Sequence, residues 1–274
     1  MPTAVVTGAG SGLGRAISLH LAERGCRVIA TDIDSAAAAS TAAEAGRGAI
    51  SIELDVRDPE ACRRAAGLAT DGNGSLDIWV NNAGILATGP VWKQHEEARR
   101  ALIEVNALGT MNGTAAALDA MLAAGQGHVI NVVSLAGLVP APGEVSYSAS
   151  KHAALGFTLG VLFDLRSAGI GGIDVSAVCP DGIWTPMIEA SLDDPEVAAS
   201  FSGQLLTPER VASEVGRLVD RPRPLVVIPR WRGPVLRAFA QFPRISLRLL
   251  PLVMWDARRR QQRYKKRIKS GRWP

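Results

Sequence analysis

Thr3-Ala-Val-Val-Thr7 followed by Gly8-Ala-Gly-Ser-Gly-Leu-Gly14 is the stretch on which the fold turns. A short β-branched run ends in a glycine cluster, and an amphipathic segment, Leu13–Arg24, begins inside that cluster. Glycines at a strand-to-helix junction let the backbone turn sharply, and they leave main-chain N–H groups pointing outward at the positive end of the helix. Such a junction suits an anion, a pyrophosphate above all. A glycine turn also serves as an ordinary connection, so its reading depends on the rest of the chain.

Beyond Gly14 the same βα rhythm repeats. Strands are predicted near Thr3–Thr7, Arg27–Asp32, Ala49–Leu54, Asp77–Val80, His128–Val133, Ile173–Val178 and Leu225–Ile228. Helices are predicted between them near Leu13–Arg24, Ala36–Ala45, Pro59–Ala69, Glu96–Ala123, Tyr147–Ala168 and Pro208–Asp220, with shorter helical turns around 186–204. Alternation of this kind builds a parallel sheet covered on both faces, so the expected class is α/β: a doubly wound, Rossmann-type sheet of seven strands. The 274 residues, 47% hydrophobic, are enough for one such domain over 1–230 and a C-terminal extension over 231–274.

Asp32 closes the second strand 18 residues after Gly14, where a carboxylate accepts hydrogen bonds from adenosine ribose hydroxyls and repels a 2′-phosphate. Ser11 in the turn and Ile33 after Asp32 offer such a phosphate no cation, although Arg15 lies one residue inside the helix. The expected cofactor is therefore NAD rather than NADP. Asn81-Asn-Ala-Gly84 follows the fourth strand, where amides pin neighbouring strand ends and a glycine admits a ligand closely.

Tyr147-Ser-Ala-Ser-Lys151 supplies the chemistry. A phenol and an ammonium four residues apart share a helix face. Tyrosine titrates near pH 10, so a base for neutral pH needs a shift of about three units, which Lys151 is placed to drive.

Assembled, these residues make the chain resemble the short-chain dehydrogenase/reductase superfamily over roughly 1–230. The family's TGxxxGxG matches Thr7, Gly8, Gly12 and Gly14; its acidic determinant matches Asp32, its Asp-Val pair beside the adenine Asp55 and Val56, and its NNAG Asn81 to Gly84. Its Asn-Ser-Tyr-Lys set falls on Asn106, Ser134, Tyr147 and Lys151, and its nicotinamide-contacting threonine on Thr185. The resemblance implies a dinucleotide held by Thr7, Gly8, Gly10, Ser11, Gly12, Leu13, Gly14, Asp32, Ile33, Asp55, Val56, Asn82, Ala83 and Gly84. Tyr147, Lys151, Pro180, Gly182, Ile183 and Thr185 complete that set.

It implies, too, that Tyr147 exchanges the alcohol proton and that Lys151 lowers its pKa and binds the nicotinamide ribose. Ser134 would hold the substrate oxygen, and Asn106 would anchor a water on the proton path. Leu135, Asp181 and Trp184, with Ser134 and Tyr147, are candidate substrate contacts. Trp184 reads first as packing, and Asp181, displacing the family's usual Pro-Gly, as a cap for the turn near Pro186. His152 points away from the Lys151 face.

The expected activity is interconversion of a secondary alcohol and a ketone, with a hydrophobic, steroid- or lipid-like substrate. A non-catalytic NAD-binding scaffold, or an epimerase or dehydratase on the same fold, is the alternative. A homodimer or homotetramer is implied by the family alone.

Cys26, Cys62 and Cys179 are too scattered for a disulfide framework or a thiolate metal site. No metal is expected. With no leader-like N-terminus and no apolar run near 20 residues, a reducing, cytoplasmic setting without a membrane span is expected.

Charge is uneven. Residues 231–274 hold 13 Lys or Arg against Asp256, a net of +12, leaving −8 for 1–230. Apolar residues interleave with these cations, and Pro234, Pro243 and Pro251 predict short helical pieces. Such a tail would lie on an anionic membrane, cover a lipophilic substrate or meet another subunit, with the hydride machinery expected to be independent of it. Nucleic acid is not an expected partner, since no recognition module accompanies the charge.

Overall fold

The structure is a computed structural model and describes residues 1–71 and 74–272. Seven parallel strands, β1 (Thr3–Thr7), β2 (Arg27–Asp32), β3 (Ile50–Glu53), β4 (Ile78–Asn81), β5 (Gly127–Val132), β6 (Ile173–Pro180) and β7 (Leu225–Ile228), form one sheet in the order β3-β2-β1-β4-β5-β6-β7. The doubly wound Rossmann architecture is thereby established. The strand order reverses between β1 and β4, and the crevice outside the carboxyl ends of those strands is where such sheets bind ligands.

Period-two alternation sends neighbouring strand residues to opposite layers. Ala4 and Val6 face α1 (Gly12–Glu23) and α8 (Pro208–Asp220), meeting Leu13, Ile17, Leu21, Val211 and Val215. Val5, Ile29 and Trp79 face the other way, onto α3 (Pro59–Thr70), α5 (Gly109–Ala124) and α6 (Val145–Ser167), where Ala65, Ala117, Met121 and Leu162 close the layer. The alanine-rich stretches pack closely against the sheet for this reason. α2 (Ser35–Ala45) flanks β2 and β3, and its N-cap Asp34 accepts from the amide of Ala37 at 3.0 Å.

The segment expected as one helix over 96–123 is broken. α4 (Glu96–Ile103) gives way to a π-helical turn over Glu104–Leu108 before α5 begins. Asn106 sits inside that wide turn, and the hydrogen bonds of its side chain to distant parts of the chain are the reason for it.

The tail also departs from expectation. α7 (Pro186–Ala190) is followed beyond β7 by α9 (Arg232–Gln241) and by α10 (Pro243–Lys269), a 27-residue helix that runs through Pro251. An internal proline costs about 3 kcal/mol, and the anchoring of the inward face at Ser246, Ala257 and Gln261 outweighs it. Gln261 Nε2 donates to the carbonyls of Leu192 (3.0 Å) and Asp194 (2.8 Å), while Tyr264 and Ile268 pack beside Phe201 and Leu205. Positions 273 and 274 of the tail lie outside the described residues. Among the described residues, no helix is long and apolar enough to cross a membrane.

Candidate active site

A cavity of about 560 Å³ runs across the carboxyl ends of the strands, from Asp32 and Asp55 at the β2–β3 side to Ser134, Tyr147 and Glu144 at the β5–β6 side. Its first end is the glycine turn. Gly8 has φ +64°, open to glycine at little cost, and Gly14 lies so close behind it that a Cβ there would be 1.9 Å from the Gly8 carbonyl oxygen. Thr7 and Asn82 brace this turn from behind. The Thr7 hydroxyl accepts from the amides of Asn82 and Ala83, both at 3.0 Å, and Asn82 Nδ2 donates to the carbonyls of Thr7 (3.0 Å) and Gly8 (3.1 Å).

Asp32 accepts from the amides of Gly10 (2.8 Å) and Asp34 (3.0 Å), which fixes its carboxylate at the cavity wall. Thr7 and Gly10 thus stand behind the wall rather than on it. The rest of the expected dinucleotide set, from Ser11 and Leu13 through Ile33, Val56 and Gly84 to Ile183, does line the cavity. Thr185 faces the turn, its Cβ 3.2 Å from where a Cβ on Gly12 would lie.

Of the nearby cations, Arg15 is paired with Glu44. Arg57, which the sequence reading passed over, lines the cavity but grips Asp55 through Nε (3.0 Å to each oxygen) and Nη2 (2.6 Å). That grip holds the Asp55 carboxyl below its usual range.

At the far end, β5 runs out just before Ser134, and α6 presents Tyr147 and Lys151 one turn apart. Lys151, 4% exposed, donates to the Val132 carbonyl at 3.2 Å and lies 5.7 Å from the Tyr147 ring centroid. Burial lowers its pKa to about 8.

The Tyr147 phenol is pushed up rather than down, first by burial and then by the charge of Glu144, while the Ser134 hydroxyl pulls the other way. This corrects the expectation that Lys151 lowers it within the protein alone. One of the three donors of the ammonium goes to the Val132 carbonyl, and desolvation of the phenol dominates.

Asn106 is fully buried and does not line the cavity. Its Oδ1 accepts from the Ile85 amide (2.8 Å), and its Nδ2 donates to the Ile85 carbonyl and to Ser150 Oγ, both at 3.0 Å. Ser150 Oγ in turn donates to the Tyr147 carbonyl at 2.7 Å. Through these bonds Asn106 ties the loop after β4 to the turn of α6 that carries Tyr147 and Lys151.

Asp181 lines the cavity, but its charge is answered internally. Its Oδ2 lies 3.1 Å from Arg232 Nε, both side chains are buried, and Arg232 Nη2 donates to Ser202 Oγ at 2.9 Å. Asp181 is not the cap at Pro186, since Thr185 holds the N-cap position of α7, and its hydroxyl donates to the Ile183 carbonyl (3.4 Å) rather than capping the helix. Trp184 points away from the cavity into the cluster of Ile188, Phe201 and Tyr264. Leu135 lines the cavity and packs with Leu236 of α9.

The sequence reading missed the tail's part in this site. Leu236 and Phe239 of α9 and Leu250, Val253 and Met254 of α10 form one wall. The cavity that Ser134, Tyr147 and Lys151 line is thus walled in part by residues 231–274.

Glu144, also missed, is 3% exposed, and its Oε1 accepts from Ser200 Oγ at 2.8 Å. Burial raises its pKa to about 7 against an ordinary 4.5, with the Ser200 bond opposing. Between those values the folded chain holds more protons than the unfolded one, so this group's stabilising contribution is complete below pH 4.5 and is lost as pH rises through 7. Glu144→Gln keeps the acceptor for Ser200 and removes the charge. It is expected to raise Tm by several degrees at pH 8, at most about 3 kcal/mol, and to leave Tm unchanged at pH 4.5. Thermal unfolding at both values checks this, and an equal gain at both would make the effect one of packing.

The comparisons agree with this geometry. The family model for the short chain dehydrogenases matches residues 2–196. The chain belongs to the short-chain dehydrogenase/reductase family. SadH of Mycobacterium tuberculosis (strain H37Rv) is 34% identical over 235 residues, 82% of this chain and 85% of that protein. The 1-deoxy-11-beta-hydroxypentalenate dehydrogenase of Streptomyces exfoliatus is 37% identical over 192 residues, 68% and 69% of the two chains. Among solved structures, a short chain dehydrogenase/reductase from Burkholderia phymatum in complex with NAD superposes with a TM-score of 0.80 at 27% identity, covering 89% of this chain and 95% of that one.

Proposed function

We propose that this short-chain dehydrogenase is an NAD(H)-dependent enzyme interconverting a secondary alcohol and a ketone on a hydrophobic substrate. One observation carries the reading: Ser134, Tyr147 and Lys151 meet at one end of a cavity whose other end is a glycine cradle beside a fixed carboxylate. The cradle suits a dinucleotide, since a side chain at Gly14 would fill the space behind the turn. Asp32 would take the adenosine ribose hydroxyls, the turn amides the pyrophosphate, and Lys151 the second ribose.

Bound NAD supplies the hydride acceptor. Tyr147 takes the alcohol proton as the hydride leaves carbon, and returns it in reduction. Ser134 donates to the substrate oxygen and holds it against the phenol. The apolar wall from α9 and α10 favours a lipophilic frame. NADH formation across secondary alcohols graded in size and lipophilicity tests the reading; binding of NAD without turnover of any of them would favour a scaffold.

Cofactor choice rests on Asp32. Asp32→Ala removes a ribose acceptor and the charge that repels a 2′-phosphate, and it is expected to narrow the preference for NAD over NADP by about tenfold or more. Fluorescence titration of NADH and NADPH measures it, and a wild-type preference for NADPH would refute the assignment.

The outer face of α10 supports a membrane contact near the cavity. Ile245, Leu249 and Leu252 are exposed at helical spacing beside Trp255, with Arg244 and Arg248 among them, and Asp256 is tied to Arg260. An isologous contact between copies of this face would set like charges together, which argues for an anionic surface. Because α10 also walls the cavity, truncation is a poor test, and Ile245→Glu with Leu252→Glu is the cleaner one. The double variant is expected to lose salt-sensitive sedimentation with phosphatidylserine vesicles. Wild-type protein that ignores such vesicles at low salt would sink the idea, and dissociation of an oligomer in the variant would make the face a subunit contact.

A further inference from the structure

Glu144 is a buried carboxyl at the wall of a largely apolar cavity whose lining also includes Leu86, Val139, Ile188, Leu236, Phe239 and Val253. Gly143, at φ +80°, brings the chain against the Glu196 carbonyl, and this seats Glu144 beside the segment Pro195–Phe201. Only Ser200 answers it there. A carboxylate has about four acceptor positions; Ser200 meets it with its hydroxyl and with its backbone amide, which leaves about two open. No cation pairs with Glu144 among the described residues. Arg232, which shares the cavity, is spent on Asp181 and Ser202, and Glu196, across Gly143, is another acid. A buried carboxyl left with spare acceptors at a cavity wall calls for a donor from the cavity.

Its position sets where that donor lies. Glu144 immediately precedes α6 and stands three residues before Tyr147, and both side chains line the cavity. Residues so spaced have Cβ atoms about 5–6 Å apart.

We propose that Glu144 accepts a hydrogen bond from a second hydroxyl group on the substrate, within about one helical turn of the carbinol that Tyr147 addresses. The preferred substrates are then apolar-framed diols and the matching hydroxyketones. The inference rests on the alcohol–ketone reading above and deepens it.

Matched secondary alcohols with and without a second hydroxyl two to four carbons away test it by two readouts. One is kcat/KM for NADH formation; the other is calorimetric affinity on the NADH-loaded protein, where the alcohol has no acceptor for its hydride and turnover is not needed. The wild type is expected to favour the diol by about tenfold or more, as for a hydrogen bond to a charged group. Glu144→Leu should abolish that advantage and Glu144→Gln should shrink it, the bond having lost its charge assistance. A diol-to-monool ratio that is the same in wild type and variants overturns the proposal, as does an equal loss on both alcohols, which would make Glu144 a positioning residue for Tyr147. Should Glu144→Leu fail to fold, a flat ratio between wild type and Glu144→Gln overturns it equally. Glu144-dependent binding of the diol without NADH formation would keep this inference and sink the dehydrogenase reading, whereas oxidation without Glu144 dependence does the reverse.

Discussion

Tyr147→Phe is expected to lower turnover by about 10²–10⁴-fold while leaving Tm and NAD affinity close to wild type. The substitution removes one oxygen from a side chain whose ring remains packed in the cavity wall, so the cost falls on proton transfer. Ser134 and the Lys151 ammonium stay where the Val132 carbonyl and α6 hold them, and neither replaces the lost group. Steady-state rates beside fluorescence titration of NADH separate the two effects. Near-normal turnover in the variant would exclude Tyr147 as the acid–base group, and a matching loss of NAD affinity would make it a binding residue. The phenol, desolvated at the cavity wall, sits above its usual pKa in the protein alone, which leaves the downward push to Lys151 and the bound cofactor together.

Gly14→Ala should be the most damaging substitution outside Ser134, Tyr147 and Lys151. Its Cβ would lie 1.9 Å from the Gly8 carbonyl oxygen and 2.5 Å from Asn82 Nδ2, and neither is the loose end of a flexible chain. Gly8 is the turn itself, and Asn82 is bonded to it and to Thr7. Relief requires α1 to move off the turn, which opens the cradle that presents the amides. The expected loss is about 1–3 kcal/mol, several degrees in Tm, with at least a tenfold weaker grip on NAD. Gly160→Ala is the control. It lies inside α6 with nothing within 4 Å of its added Cβ, and should leave Tm level or slightly raised through better helix propensity. Equal behaviour of the two variants would mean that the close approach at Gly14 does not matter.

The elements legible in the sequence are those whose signal is local. β-branched runs such as Thr3–Thr7 read as strands because a strand's preference lies in its own side chains, and the glycine turn reads as a turn because Gly8 needs a backbone that other residues resist. Tyr147 and Lys151 belong together by helical spacing alone. Asp32 is legible because the end of β2 places it, and its hydrogen bonds to Gly10 and Asp34 come from the chain on either side of the same βα unit.

By itself, then, the sequence determined the α/β class, the order of the elements and the pairing of Tyr147 with Lys151 on one helix face, all of which follow from residues near one another along the chain. Tertiary structure alone decided the rest. The π-turn at Glu104–Leu108 exists because Asn106 is bonded to Ile85, 21 residues earlier, and to Ser150, 44 residues later. α10 continues through Pro251 because Gln261 is bonded to Asp194 and Leu192, 67 and 69 residues upstream. Asp181 is an ion-pair partner rather than a cap because α9 returns Arg232 to it, and Glu144 became a buried carboxyl only when Ser200 closed over it. Burial and pairing are properties of what the fold brings from a distance, and no window of sequence contains both partners.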